Sequence, residues 1–217
     1  MMKGVIFDVD GTLFDTERLY RDAWMALAPK YGYVANPEYP AAAAGCSGEQ
    51  AYAVAEAYYP GIDVEDFFNA CREQVYSSLA REVPIKPGAR EILEYFYERD
   101  FLIAIASAGR LSKIQYCLSE TGLEKYFRII VSGTDVKASK PAPDCFLTAA
   151  RRLGLSPKEC YVLEDSKNGV LAAAAAGCAT IMVPEEGEKS VKEMREYCIG
   201  VYPDLLAVKK ALEAGEI

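Results

Sequence analysis

Short, nearly continuous runs of apolar residues recur along the chain, and each is bounded by turn-forming or polar residues. Within the runs, apolar and polar positions do not alternate. The runs cover residues 4–7, 101–106, 128–132, 161–164 and 179–183. A strand with one solvated face shows alternation, so unbroken runs predict strands that are buried on both faces of a parallel sheet.

Helical periodicity occupies the intervals between these runs. The predicted helices cover residues 89–98, 111–120, 144–153 and 169–176, and the third begins after Pro143 and stops at Gly154. Proline near a start and glycine just past an end are the usual helix boundaries. Strands and helices that alternate in this way predict an α/β fold, a doubly wound parallel sheet with a Rossmann-like core.

One long interval breaks the alternation. Residues 16–81 show helical periodicity only, with one apolar stripe around Trp24 and another around Cys71. The pattern predicts a helical cap domain inserted after strand 1, so that residues 1–15 and 82–217 form the Rossmann-like core and 16–81 form a lid. Residues 14–17 and 81–87 would be its hinges.

Composition narrows the class of protein. The chain has 217 residues, of which 51% are hydrophobic and 26% charged, as in ordinary globular proteins. Its longest near-apolar stretch, 170–184, is too short to cross a bilayer, and the N-terminal segment lacks the apolar core of a signal peptide. We therefore expect a cytoplasmic protein. A net charge of −8 disfavours binding to nucleic acid or an anionic membrane, and no obligate protein partner is indicated.

The chain contains no histidine and seven scattered cysteines, none of them in a C-x-x-C pair. We interpret the cysteines as reduced thiols, mostly in the core, and consider a structural zinc site improbable. The absence of histidine excludes a Ser-His-Asp triad, a Cys-His pair and any His-ligated metal. Acids, bases and ligands must therefore come from carboxylates, Lys, Tyr or Cys.

Polar side chains follow four of the predicted strands at their carboxyl ends. They are Asp8 and Asp10, Ser107, Lys140, and Glu164 with Asp165. Ligands bind beyond the carboxyl ends of open α/β sheets, so we expect these side chains to converge on one crevice. Four crowded carboxylates require compensating cations, and a set of hard oxygen ligands favours Mg²⁺.

Four motifs in this order resemble the haloacid dehalogenase superfamily, and within it the branch of β-phosphoglucomutase and related small-molecule phosphatases. They are D-V-D-G-T-L-F-D-T at 8–16, A-S-A at 106–108, S-K-P-A-P at 139–143, and L-E-D-S-K-N-G-V at 163–170 with A-A-A-G at 174–177. The resemblance covers nearly the whole chain. It implies a Mg²⁺-dependent phosphatase that hydrolyses a small phosphorylated metabolite, such as a sugar phosphate, through an aspartyl-phosphate.

The resemblance also implies a role for each carboxylate. Asp8 would be the nucleophile that attacks phosphorus. Asp10 would protonate the leaving oxygen and then activate water, while its backbone carbonyl binds the metal. Asp8, Glu164 and Asp165 would complete the metal shell.

The remaining motif residues would bind the phosphoryl group. Ser107 and the backbone N–H groups of Val9 and Ala108 are expected to bind its oxygens, and Lys140 to neutralise the charge shared by Asp8 and the phosphate. Substrate choice would depend on the lid. The candidates there are Tyr20, Arg21, Trp24, Ser47 and Gln50.

A mutase of the β-phosphoglucomutase type is the principal alternative. That group usually carries a His at the position of Tyr20 and two basic residues in the lid segment that here reads Ala44-Gly45-Cys46-Ser47-Gly48, at the positions of Ala44 and Gly48. A mutase must hold a second phosphate, which requires cations. Their absence from this segment favours hydrolysis. A dehalogenase is disfavoured because a halide leaving group would leave Asp10 idle.

Less specific interpretations stay open for single residues. A calcium loop starting at Asp8 would need Glu at its twelfth position, where this chain has Leu19. Glu164 could pair with Lys167 instead of a metal, and Asp15 is expected to cap the helix that follows it.

A receiver-like phospho-switch is a remote alternative from a different functional class. Receiver domains also surround Mg²⁺ with acidic residues, a hydroxyl and a lysine. They are about half this length, and the helical segment 16–81 and an acid at Asp10 argue against that assignment.

Overall fold

The computed structural model describes residues 2–43, 46, 48–185 and 188–217. The chain divides into two compact units. One consists of Met1–Phe14 with Ile85–Ile217, and the other of Asp15–Pro84. The exit from the helical segment therefore lies three residues later along the chain than the sequence-based boundary.

The larger unit contains a six-stranded parallel sheet with strand order β3-β2-β1-β4-β5-β6. The strands are β1 (Gly4–Phe7), β2 (Leu102–Ala106), β3 (Ile129–Val131), β4 (Cys160–Glu164), β5 (Ala179–Met182) and β6 (Gly200–Val201). This arrangement confirms the predicted α/β fold class, and each of the five predicted runs matches a strand to within one residue at either end. The two-residue β6 was not predicted.

Ten α-helices are assigned within the described residues. They are α1 (Thr16–Leu27), α2 (Tyr39–Ala43), α3 (Gly48–Tyr58), α4 (Val64–Leu79), α5 (Ala89–Tyr97), α6 (Leu111–Thr121), α7 (Asp144–Leu153), α8 (Lys167–Ala176), α9 (Val191–Met194) and α10 (Leu205–Ala214). The four predicted core helices correspond to α5 to α8. Helices α9 and α10 were not predicted.

The central strand β1 explains why the apolar runs are unbroken. It pairs with β2 on one side and β4 on the other, with Val5 opposite both Ile103 and Tyr161. All four residues of β1 are buried. A strand that is covered on both faces by helices has no solvated face, and polar side chains appear only where the strand ends.

The helical unit has an aromatic core of its own. Tyr39 lies at its centre, with ring centroids 5.3 Å from Trp24, 5.0 Å from Tyr59 and 6.3 Å from Phe67. The buried members of the two predicted stripes lie on α1 and α4. Across the part of the chain that the structure describes, no helix is long and apolar enough to cross a membrane.

Candidate active site

The candidate site lies at the carboxyl ends of β1 and β4, which are neighbours in the sheet. The chain runs from β1 outward to β2 and β3, and then returns to β4 on the other side of β1. This reversal of direction is the switch point at which α/β sheets bind ligands. It brings Asp8 beside Glu164, although 155 residues separate them in sequence.

Lys140 joins these two carboxylates. Its ammonium donates hydrogen bonds to Asp8 Oδ1 at 2.5 Å, to Glu164 Oε1 at 2.6 Å and to the carbonyl oxygen of Ala106 at 3.1 Å. An ammonium has three donors, so all of them are used. The side chains of Lys140, Asp8 and Glu164 are all less than 10% exposed. The lysine is thus held rigidly between the ends of β1, β2 and β4.

The second oxygen of Glu164 is equally well bound. Oε2 accepts hydrogen bonds from the backbone N–H groups of Asp165 and Ser166, both at 2.9 Å, and from the Ser166 hydroxyl at 3.1 Å. The alternative pairing with Lys167 is wrong, because Lys167 binds Glu193 at 2.9 Å. Glu164 therefore belongs to the buried site.

Asp8, Glu164 and Asp165 form a cluster that could hold a metal ion. Ligand oxygens of the three buried carboxylates lie within 4.8 Å of one another. Thr12 Oγ1 donates to Asp165 Oδ1 at 3.3 Å. Gly11 has a φ of +87°, and a Cβ there would lie 2.2 Å from Asp165 Oδ2, so only glycine fits. Three buried carboxylates fit a hard divalent cation such as Mg²⁺. The Asp10 carbonyl oxygen stays a predicted ligand.

The charged groups of the cluster shift one another's pKa values. Burial raises the pKa of Asp8 to about 8; Lys140 opposes this shift, and Glu164 and Asp10 add to it. Burial also lowers the pKa of Lys140, but Asp8 and Glu164 more than offset it and the net pKa is raised, which keeps the ammonium charged. The protein's own groups thus leave negative charge only partly compensated, which favours cation binding.

Ser107 and Asp10 approach each other at the loop after β2. The Ser107 hydroxyl is buried and accepts a hydrogen bond from the Gly109 N–H at 2.9 Å. A Cβ on Gly109 would lie 3.1 Å from Ser107 Oγ and 3.2 Å from Asp10 Oδ2. The loop therefore passes close to both side chains. Ser107 Oγ and Asp10 Oδ2, which belong to two predicted site residues, both border the same position beside Gly109.

Lys113 is a site residue that was not predicted. It lies in the first turn of α6, is only 6% exposed and forms an ion pair with Asp10 Oδ1. A signal was present in the sequence, since Lys113 is four residues before Cys117 and next to Ile114, on the buried face of α6. A lysine on an apolar helix face needs a counter-ion nearby.

Two further predicted residues, Val9 and Ala108, are expected to act through their backbone N–H groups only. Val9 is buried and its carbonyl oxygen accepts hydrogen bonds from Leu13 and Phe14, while Ala108 is exposed. Phosphate binding by the N–H groups of Val9 and Ala108 stays a prediction.

The predicted specificity residues lie in the helical unit. Tyr20, Arg21 and Trp24 share α1, where Arg21 is exposed, Tyr20 is half-buried and Trp24 is buried. Gln50 is exposed on α3, and Ser47 lies outside the described residues, as do Ala44 and Gly45. Their contact with a substrate stays a prediction.

The prediction that the Asp15 side chain caps the following helix is wrong. Asp15 does stand at the N-cap position of α1, but its side chain makes no capping hydrogen bond. Its carboxylate instead accepts a hydrogen bond from Arg18 at 2.7 Å. A guanidinium one turn along the helix competes successfully with the backbone N–H groups for this carboxylate.

Comparison with known proteins identifies relatives that act on sugar phosphates. The chain is 35% identical over 184 residues to a phosphorylated carbohydrates phosphatase of Thermotoga maritima, covering 83% of this chain and 84% of that protein. It is 33% identical over 181 residues to the fructose-1-phosphate phosphatase YqaB of Escherichia coli, covering 83% and 95% respectively.

Solved structures share the fold. A hydrolase from Pseudomonas syringae superposes with a TM-score of 0.82 at 26% identity, covering 98% of this chain and 99% of that one. A β-phosphoglucomutase from Clostridium difficile superposes with a TM-score of 0.77 at 24% identity, covering 94% and 92%, which shows the shared fold alone. The family model for haloacid dehalogenase-like hydrolases matches residues 5–183, which include all the site residues of the sheet ends. The chain therefore belongs to the haloacid dehalogenase-like hydrolase family.

Proposed function

We propose that the protein is a Mg²⁺-dependent phosphatase of a small phosphorylated metabolite, and that it works through an aspartyl-phosphate on Asp8. The observation that carries this proposal is the Lys140 ammonium between Asp8 and Glu164, beside the three-carboxylate cluster. A buried carboxylate held by a lysine is positioned for nucleophilic attack, and phosphoryl transfer depends mainly on positioning and charge stabilisation.

In the first half-reaction, an oxygen of Asp8 attacks phosphorus and the bond from phosphorus to the substrate oxygen breaks. Asp10 donates its proton to that oxygen, so the product leaves as a neutral alcohol. Ser107 and Lys140 bind the phosphoryl oxygens as charge redistributes over them.

In the second half-reaction, water attacks the phosphorus of the aspartyl-phosphate. Asp10, now a carboxylate, takes a proton from this water, and the bond from phosphorus to Asp8 breaks. Inorganic phosphate leaves, Asp8 is a carboxylate again, and Asp10 has regained the proton that it donated. One pair of carboxylates thus completes the cycle without histidine.

The metal site would be formed by Asp8, Glu164 and Asp165 with the Asp10 carbonyl oxygen. When bound, Mg²⁺ would offset carboxylate charge and polarise a phosphoryl oxygen. Lys140 holds Asp8 and Glu164 in place around that position.

We assign substrate choice to the helical unit, acting as a lid, with Tyr20, Arg21, Trp24, Ser47 and Gln50 as the expected contacts. A sugar phosphate is the favoured substrate because both relatives described above are named as phosphatases of carbohydrate phosphates. Hydrolysis is favoured over mutase activity because the positions of the two lid cations hold Ala44 and Gly48.

The test is phosphate release from a panel of sugar, nucleotide and polyol phosphates, with Mg²⁺ and with EDTA. Asp8→Asn should abolish turnover and Asp10→Asn should lower kcat about 10²-fold or more. Glu120→Gln, an exposed carboxylate on α6, is the control and should leave kcat unchanged. Full turnover by Asp8→Asn would exclude the covalent route. Isomerisation of β-glucose 1-phosphate without net phosphate release would establish the mutase instead.

A further inference from the structure

The ion pair between Lys113 and Asp10 has no role in the mechanism above. Lys113 is buried on α6, a helix that carries none of the other site residues, and its ammonium contacts Asp10 Oδ1. Burying a lysine side chain to bind one particular carboxylate oxygen is costly, and a surface lysine would serve equally well for general charge balance.

The geometry separates the two oxygens of Asp10. Oδ1 faces Lys113, whereas Oδ2 lies 3.2 Å from the point that a Cβ on Gly109 would occupy. The Ser107 hydroxyl oxygen lies 3.1 Å from that same point. Oδ2 is therefore the oxygen on the side of Ser107, which is the residue expected to bind the phosphoryl group.

We propose that Lys113 is a positioning residue that orients the Asp10 carboxyl group so that Oδ2 delivers the proton to the leaving oxygen. This inference rests on the proposed phosphatase function. An ammonium only donates hydrogen bonds, so it binds an oxygen that does not carry a hydrogen. With Oδ1 engaged by Lys113, a proton on Asp10 resides on Oδ2.

The Lys113 ammonium holds Oδ1 of the Asp10 carboxylate from the side of α6. Asp10 follows β1 with Gly11 as its next residue, and three further carboxylates lie in the same site. Loss of the Lys113 ammonium would remove the attraction at Oδ1 that opposes repulsion from these carboxylates, and the Asp10 side chain would shift from its alignment with the phosphorus. Misplacement of a catalytic group by about 1 Å costs on the order of 10²-fold in rate.

The test compares two substrates whose leaving groups differ in their need for a proton. The leaving oxygen of an alkyl phosphate must be protonated as the bond breaks. 4-Nitrophenyl phosphate instead releases a stable phenolate, which leaves without being protonated. The parameter to compare is kcat/KM, which reports the steps up to alcohol release. In Lys113→Met, which keeps the length of the stem, kcat/KM should fall about 10²-fold for the best alkyl substrate of the panel. For 4-nitrophenyl phosphate the fall should be less than about fivefold on the same grounds.

Four further variants complete the design. Lys113→Arg restores a cation and should recover at least part of the alkyl activity. Asp10→Asn should show the same leaving-group pattern, and adding Lys113→Met to it should cause no further loss, because both changes remove one function. Lys125→Met, which replaces an exposed lysine whose ammonium lies over the Tyr126 ring, is the matched control and should leave both rates unchanged.

Equal losses on both substrates, or no loss on either, would overturn the role of Lys113 and leave the phosphatase proposal standing. Absence of Mg²⁺-dependent phosphate release by the wild-type protein would overturn the phosphatase proposal itself. If Lys113→Met does not fold, as judged by circular dichroism, the ratio of the two kcat/KM values in Lys113→Gln, a neutral but polar replacement, decides the question.

Discussion

The α-carbon of Gly169 lies against the carboxylate of Glu164. A Cβ built on Gly169 would meet Glu164 Oε1 at 1.7 Å and Oε2 at 2.2 Å. Gly169 lies in the first turn of α8, and its N–H donates to the capping Ser166 hydroxyl at 3.1 Å. The start of α8 can therefore approach β4 only because this position lacks a side chain.

Gly169→Ala should therefore impair the enzyme. In a helix, Gly→Ala ordinarily stabilises a protein by up to about 1 kcal/mol. Here the methyl group would displace Glu164, and with it the acceptor that holds Lys140. We expect destabilisation of about 1–3 kcal/mol, seen as a Tm lower by several degrees, and a kcat at least tenfold lower. A raised Tm with unchanged kcat would show that the glycine is not required.

Lys140→Met should remove most of the activity. The substitution leaves Asp8 and Glu164 buried without their shared cation, and the phosphoryl group loses a positive neighbour. We expect kcat to fall about 10²–10³-fold, as for the loss of a transition-state donor. Steady-state kinetics should be compared with Lys137→Met, an exposed lysine in the same loop, which should behave like the wild type. Comparable activity of the two variants would contradict the assignment.

Mg²⁺ should stabilise the folded protein. The cluster holds more carboxylate charge than Lys140 neutralises, and an ion that binds only the folded state stabilises it by about 2.7 kcal/mol at 100 times its Kd. A Tm increase of several degrees should therefore accompany Mg²⁺ titration. Asp165→Asn should abolish most of this shift, while the exposed Asp22→Asn should keep it. An unchanged shift in Asp165→Asn would place the ion elsewhere.

The cysteines should be inert in the folded protein. All seven are free, and burial raises the pKa of Cys71 to about 12 and the pKa values of Cys117 and Cys145 to about 11. The thiolate is the reactive form, and at pH 8 less than about 1% of such a thiol is ionised. Iodoacetamide should label these thiols far more slowly than in urea, with activity retained, as measured by mass spectrometry. Rapid labelling of one of them with loss of activity would reveal a functional thiol.

The sheet could be predicted from the sequence because burial on both faces leaves unbroken apolar runs such as Val5–Phe7. β6 escaped prediction because two residues, Gly200 and Val201, are too short to form a run. Helix α10 could have been predicted, since Leu205, Val208 and Ala211 share a face and Asp204 caps its start.

The site residues also differ in how far the sequence alone can predict them. Asp8, Lys140 and Glu164 could be predicted because Asp8 follows β1, Lys140 lies in the loop after β3 and Glu164 ends β4, and the carboxyl ends of parallel strands meet at one edge. Lys113 comes from a helix, so its approach to Asp10 depends on how α6 packs against the sheet. Periodicity identifies the buried face of a helix, but not the group on the opposite element that faces it.

The loop after β3 provides a prediction about pH. Asp135 Oδ2 accepts hydrogen bonds from the Ser132 hydroxyl at 2.6 Å and the Ser132 N–H at 2.9 Å, and Oδ1 accepts one from Arg152 at 2.8 Å. These bonds, the one from the Ser132 hydroxyl most of all, lower the pKa of Asp135 to about 2 from an ordinary value of 3.8.

Because folding favours the ionised form, this stabilisation is fully present above about pH 4 and is lost as the pH falls toward 2. Asp135→Asn should therefore lower the free energy of unfolding by about 1 kcal/mol at pH 7, a small value because the residue is exposed. The difference from the wild type should shrink between pH 4 and pH 2 in urea unfolding. Glu120→Gln, exposed and outside the loop, should show no such trend. A difference that stayed constant over this range would mean that the carboxylate contributes through its shape and not through its charge.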